Sequence, residues 1–215
     1  MNELRYTLLG DGNFDEALIP VVSWVLKEAG VIAPIQSSWA ELDRVPPPPR
    51  KLPDRIAMAV ALYPCDILFV HRDAEKQPSK ARTAEIARAV SVAQKKRVAV
   101  PSYVPVIPVR MTEAWLLFDE TSIRRAAGNP SGTQILKLSQ PSRWDEEPNP
   151  KLMLREALLD ATELRGRRRS RFESSFAAKR VADLIDDYSP LRRLSAFRDL
   201  ESDVARVVRS SRLAP

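Results

Sequence analysis

"DILFVHRDAE", residues 66–75, decides the architecture. Four apolar residues, Ile67 to Val70, are followed at once by His71, Arg72, Asp73 and Glu75. A short unbroken apolar run with polar ends fits a strand buried on both faces, and such strands belong to parallel sheets covered by helices. Charge is thus delivered at the strand's carboxyl end, where ligands gather in open α/β sheets because loops and helix N-termini converge there.

The flanking sequence repeats the pattern. "LRYTLLG" (4–10) is β-compatible and ends in Gly10-Asp11-Gly12; from Phe14 to Glu28 the residues Leu18, Val21, Val22, Val25 and Leu26 recur at helical spacing, with Pro20 in the tolerant first turns. "VIAPIQSSW" (31–39) reads as an edge strand because Pro34 has no N–H to donate. "VPPPPRKLP" is a stiff spacer, 53–62 a short helix, and 79–95 a helix with Ile86, Val90 and Ala93 on one side. "VPVIPV" (104–109) is a further strand, running into "RMTEAWLLFDE", whose Met111, Trp115 and Phe118 are helically spaced. The expected fold is α/β, a mostly parallel sheet with helices on both faces over residues 1–128. Residues 129–215 form a loop and a C-terminal helical extension, broken by the arginine run and by "YSPLRRL", that packs on the core as one structural unit.

With 215 residues, 44% of them hydrophobic, the chain can bury one sizeable core. No apolar stretch is long enough to span a bilayer and the N-terminus lacks a leader pattern, so a cytoplasmic protein is expected. The single cysteine, Cys65, has no partner for an internal disulfide and reads as a buried, inert thiol. The net charge of +6 favours an anionic partner, nucleic acid first, and Arg165, Arg167, Arg168, Arg169 and Arg171 concentrate that charge. Without interleaved aromatics the same run reads equally as a solvated basic loop.

Each of the three strong strands ends in acid: Asp11 with Asp15 after the first, Asp73 and Glu75 after the middle one, Glu113 beyond the third. Asp11, Asp73, Glu75 and Glu113 are the candidate catalytic and metal residues, since Mg²⁺ or Mn²⁺ takes a few carboxylate oxygens and keeps room for a phosphate. Asp73 and Glu75, two apart, share one side of an extended backbone. Against this, Asp15 and Glu113 fit helix-start acids, and His71, a base or ligand in one reading, is a hydrogen-bonded structural residue in the other. Asp119 reads as an outer carboxylate or as a helix C-terminal acid facing water. Arg110 and Lys151 are placed to steady phosphate oxygens.

"GDGNFDEALIPVVSWVL" resembles the first Toprim motif, "DILFVHRDAE" is similar to the strand carrying its paired acids, and "VPVIPVRMTEAWLLFDE", "NPK" (149–151) and "RVADLIDDYSPLRRLSAFRDL" complete the likeness in order along most of the chain. Together they resemble an uncharacterised bacterial Toprim-like family related to the nuclease domain of overcoming-lysogenization-defect proteins. The resemblance implies Mg²⁺-dependent cutting or rejoining of nucleic-acid phosphodiesters, in phage defence or on mobile elements, sometimes beside an ATPase partner. Asp11 stands where such proteins usually carry glutamate, and His71 takes the first place of the usual Asp-x-Asp pair. The rival classes are a non-catalytic, degenerate Toprim subunit that binds nucleic acid or an ATPase partner, and a phosphatase or nucleotide hydrolase on a similar sheet.

Overall fold

The computed structural model describes residues 3–75, 77–109, 111–139, 144 and 147–210. Four strands, β1 (Leu4–Leu9), β2 (Ile35–Trp39), β3 (Ile67–His71) and β4 (Ser102–Val106), form one all-parallel sheet in the order β2-β1-β3-β4. The helices α1 (Leu18–Glu28), α2 (Leu52–Leu62) and α3 (Ser79–Lys95) connect them. This is the α/β architecture expected of a Toprim-like fold with a helical extension.

Side-chain alternation sorts the layers. Tyr6 and Leu8 of β1 with Ile67 and Phe69 of β3 pack with α1 on one face, whereas Leu9, Leu68 and Val70 pack with Ile56 of α2 and Ile86 and Val90 of α3 on the other. All five residues of β3 are buried, which explains why its sequence is continuously apolar. Pro20 sits in the first turn of α1, whose opening is a short 3-10 turn at Asp15–Ala17 rather than a helix from Phe14.

The strand expected at 104–109 is instead Ser102–Val106. It is an edge strand, so Pro105 costs no ladder bond, but Pro108 cannot donate and regular pairing stops before it. The stretch expected as a helix after it is a 3-10 turn at Thr112–Leu116, followed by α4 (Glu120–Ala126). Asp119 is not a C-terminal acid: it caps α4, accepting from Ser122 N (3.0 Å) and Ser122 Oγ (2.8 Å).

The extension consists of α5 (Pro150–Ala161), α6 (Gly166–Ser170), α7 (Ser174–Leu184) and α8 (Ser195–Ser210). The arginine run separates α5 from α7, as expected, and its middle, Gly166–Ser170, forms the short helix α6. Leu154, Val181, Phe197 and Val204 join β1, β4 and α1 in one hydrophobic cluster, and Trp115 meets Phe197 edge to face at 5.4 Å, so sheet and extension share a core. Among the described residues no helix is long and apolar enough to cross a membrane.

Candidate functional site

The order β2-β1-β3-β4 sends the connection from β1 to one side of the sheet and that from β3 to the other. The switch point, the crevice position at which open α/β sheets bind ligands, therefore falls between the carboxyl ends of β1 and β3. The register pairs Leu9 with Val70, so the next residues, Gly10 and His71, stand side by side at that point.

Gly10 is glycine for a local reason. A Cβ there would lie 2.7 Å from Asp15 Cβ and 2.7 Å from Trp39 Cη2. The missing side chain lets Asp15 fold back over the turn, where its Oδ2 accepts from Asp11 N (2.8 Å) and Gly12 N (2.9 Å). Its other oxygen, Oδ1, is turned to His71 Nε2 at 3.3 Å.

His71 is buried, and its Nδ1 contacts Val106 O at 3.0 Å, which fixes the ring. Nε2 lies between two carboxylates, 3.3 Å from Asp15 Oδ1 and 3.4 Å from Asp73 Oδ1. Burial alone would lower the imidazole pKa; the carboxylates of Asp15 and Asp73 beside Nε2 overcome it and raise it to about 10. Burial likewise acts against ionised Asp15, but His71 and the two amides prevail and hold that carboxyl below its ordinary value.

One Nε2–H cannot serve two carboxylates. Asp73 Oδ1 keeps an ion-pair separation from it but is buried with no hydrogen-bond partner among the described residues. Beyond the ring, Thr112 Oγ1 approaches Asp15 Oδ1 (3.4 Å) and His71 Nε2 (3.5 Å), and the next residue is the buried Glu113. Burial pushes the Glu113 carboxyl above its usual value and the charges of Asp73 and Asp15 push it the same way, while its own backbone N–H and Lys151 oppose them.

Of the sequence candidates, Asp73 and Lys151 are near enough to Glu113 for their charges to act on its carboxyl, in opposite directions. Asp11 and Glu75 do not turn into the crevice. The Asp11 carboxylate accepts from Arg72 Nη1 at 2.6 Å, and Glu75 pairs with Arg82 Nη2 at 3.3 Å. Glu75 has φ 54, so the backbone is not extended there and the side chain does not follow Asp73 to the same side. Glu85 bridges both guanidinium groups, 3.1 Å from Arg72 and 2.9 Å from Arg82, making a chain of alternating charge along the rim, three acids linked by two arginines.

Arg110 lies outside the described residues. Arg165, Arg167, Arg168 and Arg171 are exposed around α6, while Arg169 donates to Leu159 O (2.6 Å) and Asp160 Oδ1 (2.8 Å). Arg72, Arg82 and Thr112 went unassigned in the sequence; Arg72 adjoins His71, but nothing local marks its bond to an acid 61 residues away.

Among the described residues no group of three or more His, Cys, Asp or Glu side chains is arranged to hold a metal ion. Mg²⁺ needs less, since it is held through one or two carboxylates with waters and substrate phosphate completing its shell. Asp73, with a bare buried oxygen, and Glu113, crowded by like charge, fit that demand; Asp11 and Glu75, already neutralised by arginine, do not. Compared with protein-family models, with curated proteins and with solved structures, the chain matches none.

Proposed function

We propose that the chain is a Toprim-like enzyme acting on nucleic-acid phosphodiesters with Mg²⁺ or Mn²⁺, in the phage-defence or mobile-element setting that the sequence resemblance implies. The observation that carries this reading is the buried Oδ1 of Asp73, without a hydrogen-bond partner among the described residues, together with a buried Glu113 whose charged form Asp73 and Asp15 disfavour. A hard cation relieves both conditions at once.

Asp73 and Glu113 would hold the cation, which supplies Lewis-acid polarisation of a phosphate oxygen and a more acidic bound water. His71 keeps its proton at neutral pH, so it positions Asp15 and Asp73 and is no general base. Asp15, fixed by the amides of Asp11 and Gly12, holds that imidazolium in place. Lys151 would steady a phosphate oxygen, and Arg165, Arg167, Arg168 and Arg171 would follow the backbone without reading sequence. The test is incubation of plasmid, single-stranded DNA and RNA with Mg²⁺, Mn²⁺ or EDTA. Metal-dependent cleavage that is lost in Asp73→Ala and Glu113→Gln is expected, and no cleavage by wild type with any metal removes the enzyme.

One observation favours a second reading. The protonated His71 already places a positive charge between Asp15 and Asp73, and Arg72 and Arg82 pair with Asp11 and Glu75, so each of these acids has a cationic neighbour without a metal. In that reading the chain is a non-catalytic subunit that binds nucleic acid or an ATPase partner. Calorimetric titration with Mn²⁺ separates the two: an enzyme shows a saturable site that vanishes in Asp73→Ala, and a binding subunit shows none.

A further inference from the structure

On α5 a stripe of side chains leads away from the acidic crevice. Lys151, Arg155 and Leu159 are spaced four apart and therefore share one face of the helix, each about 6 Å further along its axis. Lys151 begins the stripe near enough to Glu113 for its charge to act on that carboxyl. Arg155 and Leu159 form one wall of a groove of about 450 Å³ completed by Arg169 and Ser170 of α6 and by Phe172 beyond it. The volume is within the range of small-ligand sites.

The groove combines two chemistries. Arg155 is exposed, and the Arg169 guanidinium is held by Leu159 O and Asp160 Oδ1, so α5 and α6 each bring one cationic group to the groove. Leu159 and the half-buried Phe172 provide apolar surface within the same concavity. Backbone phosphates need only the cations, but an aromatic face in a recess serves a base only when that base is unstacked.

We infer that this groove holds one unstacked nucleotide of a single strand, its base against Phe172 and its phosphate at Arg155, with the strand running along α5 towards Lys151 and the acidic crevice. The inference rests on the nucleic-acid part of the proposed function but not on its chemistry. A base flipped out of duplex would enter less readily, because unstacking opposes it.

The test is fluorescence anisotropy in EDTA with a labelled 15-nucleotide oligothymidylate and a 15-base-pair duplex, which reads binding without cleavage. Wild type should prefer the single strand. Phe172→Leu, which retains apolar packing, should weaken single-strand binding about 5- to 100-fold and leave duplex binding unchanged. Arg155→Gln should also weaken it and reduce the salt slope by about 0.7, the loss of one phosphate contact. Lys95→Gln, an exposed change at the far end of α3, should do neither. Wild-type affinity in both groove variants, equal losses on single strand and duplex, or a preference for duplex would overturn the inference. Metal-dependent cleavage failing while these binding results hold would strike the proposed enzyme and leave the groove standing.

Discussion

His71 Nε2 stands 3.3 Å from Asp15 Oδ1, joining the carboxyl end of β3 to the turn that follows β1 across the switch point of the sheet. The pair is a buried one; Asp15 favours its ionised form most, Asp73 adds a second negative charge at the same ring nitrogen, and Val106 O lies against the other. Removing one partner from such a pair leaves an uncompensated buried charge, the costly case.

The raised pKa of His71 makes stability depend on pH in a definite direction. The folded state holds this proton up to about 10, whereas an unfolded histidine releases it near 6.5. Its stabilisation is therefore complete below pH 6.5 and is lost as pH rises towards 10, with a slope of at most about 1.4 kcal/mol per pH unit for one proton. Urea unfolding of wild type and His71→Gln from pH 6 to 10 measures it. The two stability curves should converge with rising pH, and parallel curves would contradict the ionised pair.

Gly10 and Gly12 should respond differently to the same substitution. In Gly10→Ala the new Cβ meets Asp15 Cβ and Trp39 Cη2, both at 2.7 Å, so Asp15 must leave its place against the turn. A loss of about 1–3 kcal/mol is expected, the usual cost of overpacking. Nothing lies within 4 Å of a Cβ at Gly12, and Gly12→Ala should unfold close to wild type. Denaturant midpoints of the two variants decide the matter.

The same contacts show what could be read from sequence and what could not. The apolar run at β3 and the charge at its tip were legible because burial on both faces dictates residue type position by position. The bounds of α3 were legible too, because its apolar positions recur cleanly from Ser79 to Lys95. Which acid of the first turn faces the crevice was not legible. Asp11 and Asp15 both follow β1, and the choice is made by a side chain missing at Gly10 and by an arginine 61 residues from Asp11. Glu75 diverges through one left-handed backbone residue, which the alternation rule for strands does not foresee.

Arg72 should oppose metal binding at the crevice while supporting the fold. It pairs with Asp11 at 2.6 Å and Glu85 at 3.1 Å, so Arg72→Gln leaves Asp11 without its partner and Glu85 with Arg82 alone. The more negative edge should bind Mn²⁺ more tightly by on the order of 1 kcal/mol, about fivefold in affinity, and the metal-free protein should unfold at lower denaturant. Calorimetry and urea unfolding read the two effects separately; unchanged Mn²⁺ affinity would place the rim network outside the field of the site.

Glu113 tests whether the carboxylates at the crevice are kept for a ligand or for the fold. Its ionised form is disfavoured first by burial and then by Asp73 and Asp15, so at pH 8 the folded state carries a strain that an unfolded glutamate does not. Glu113→Gln removes the like charge at constant shape and should raise metal-free stability at pH 8, with the gain shrinking as pH falls and Glu113 takes up its proton. If Glu113 helps to hold a cation, the balance reverses when metal is present. A ligand at 100 times its Kd stabilises the folded wild type by about 2.7 kcal/mol, and the variant forgoes that. Thermal unfolding of both proteins with EDTA and with excess Mn²⁺ should therefore give opposite rankings. A variant less stable than wild type in EDTA would mean that Glu113 serves the fold, and equal Mn²⁺ shifts in the two proteins would remove it from the metal site.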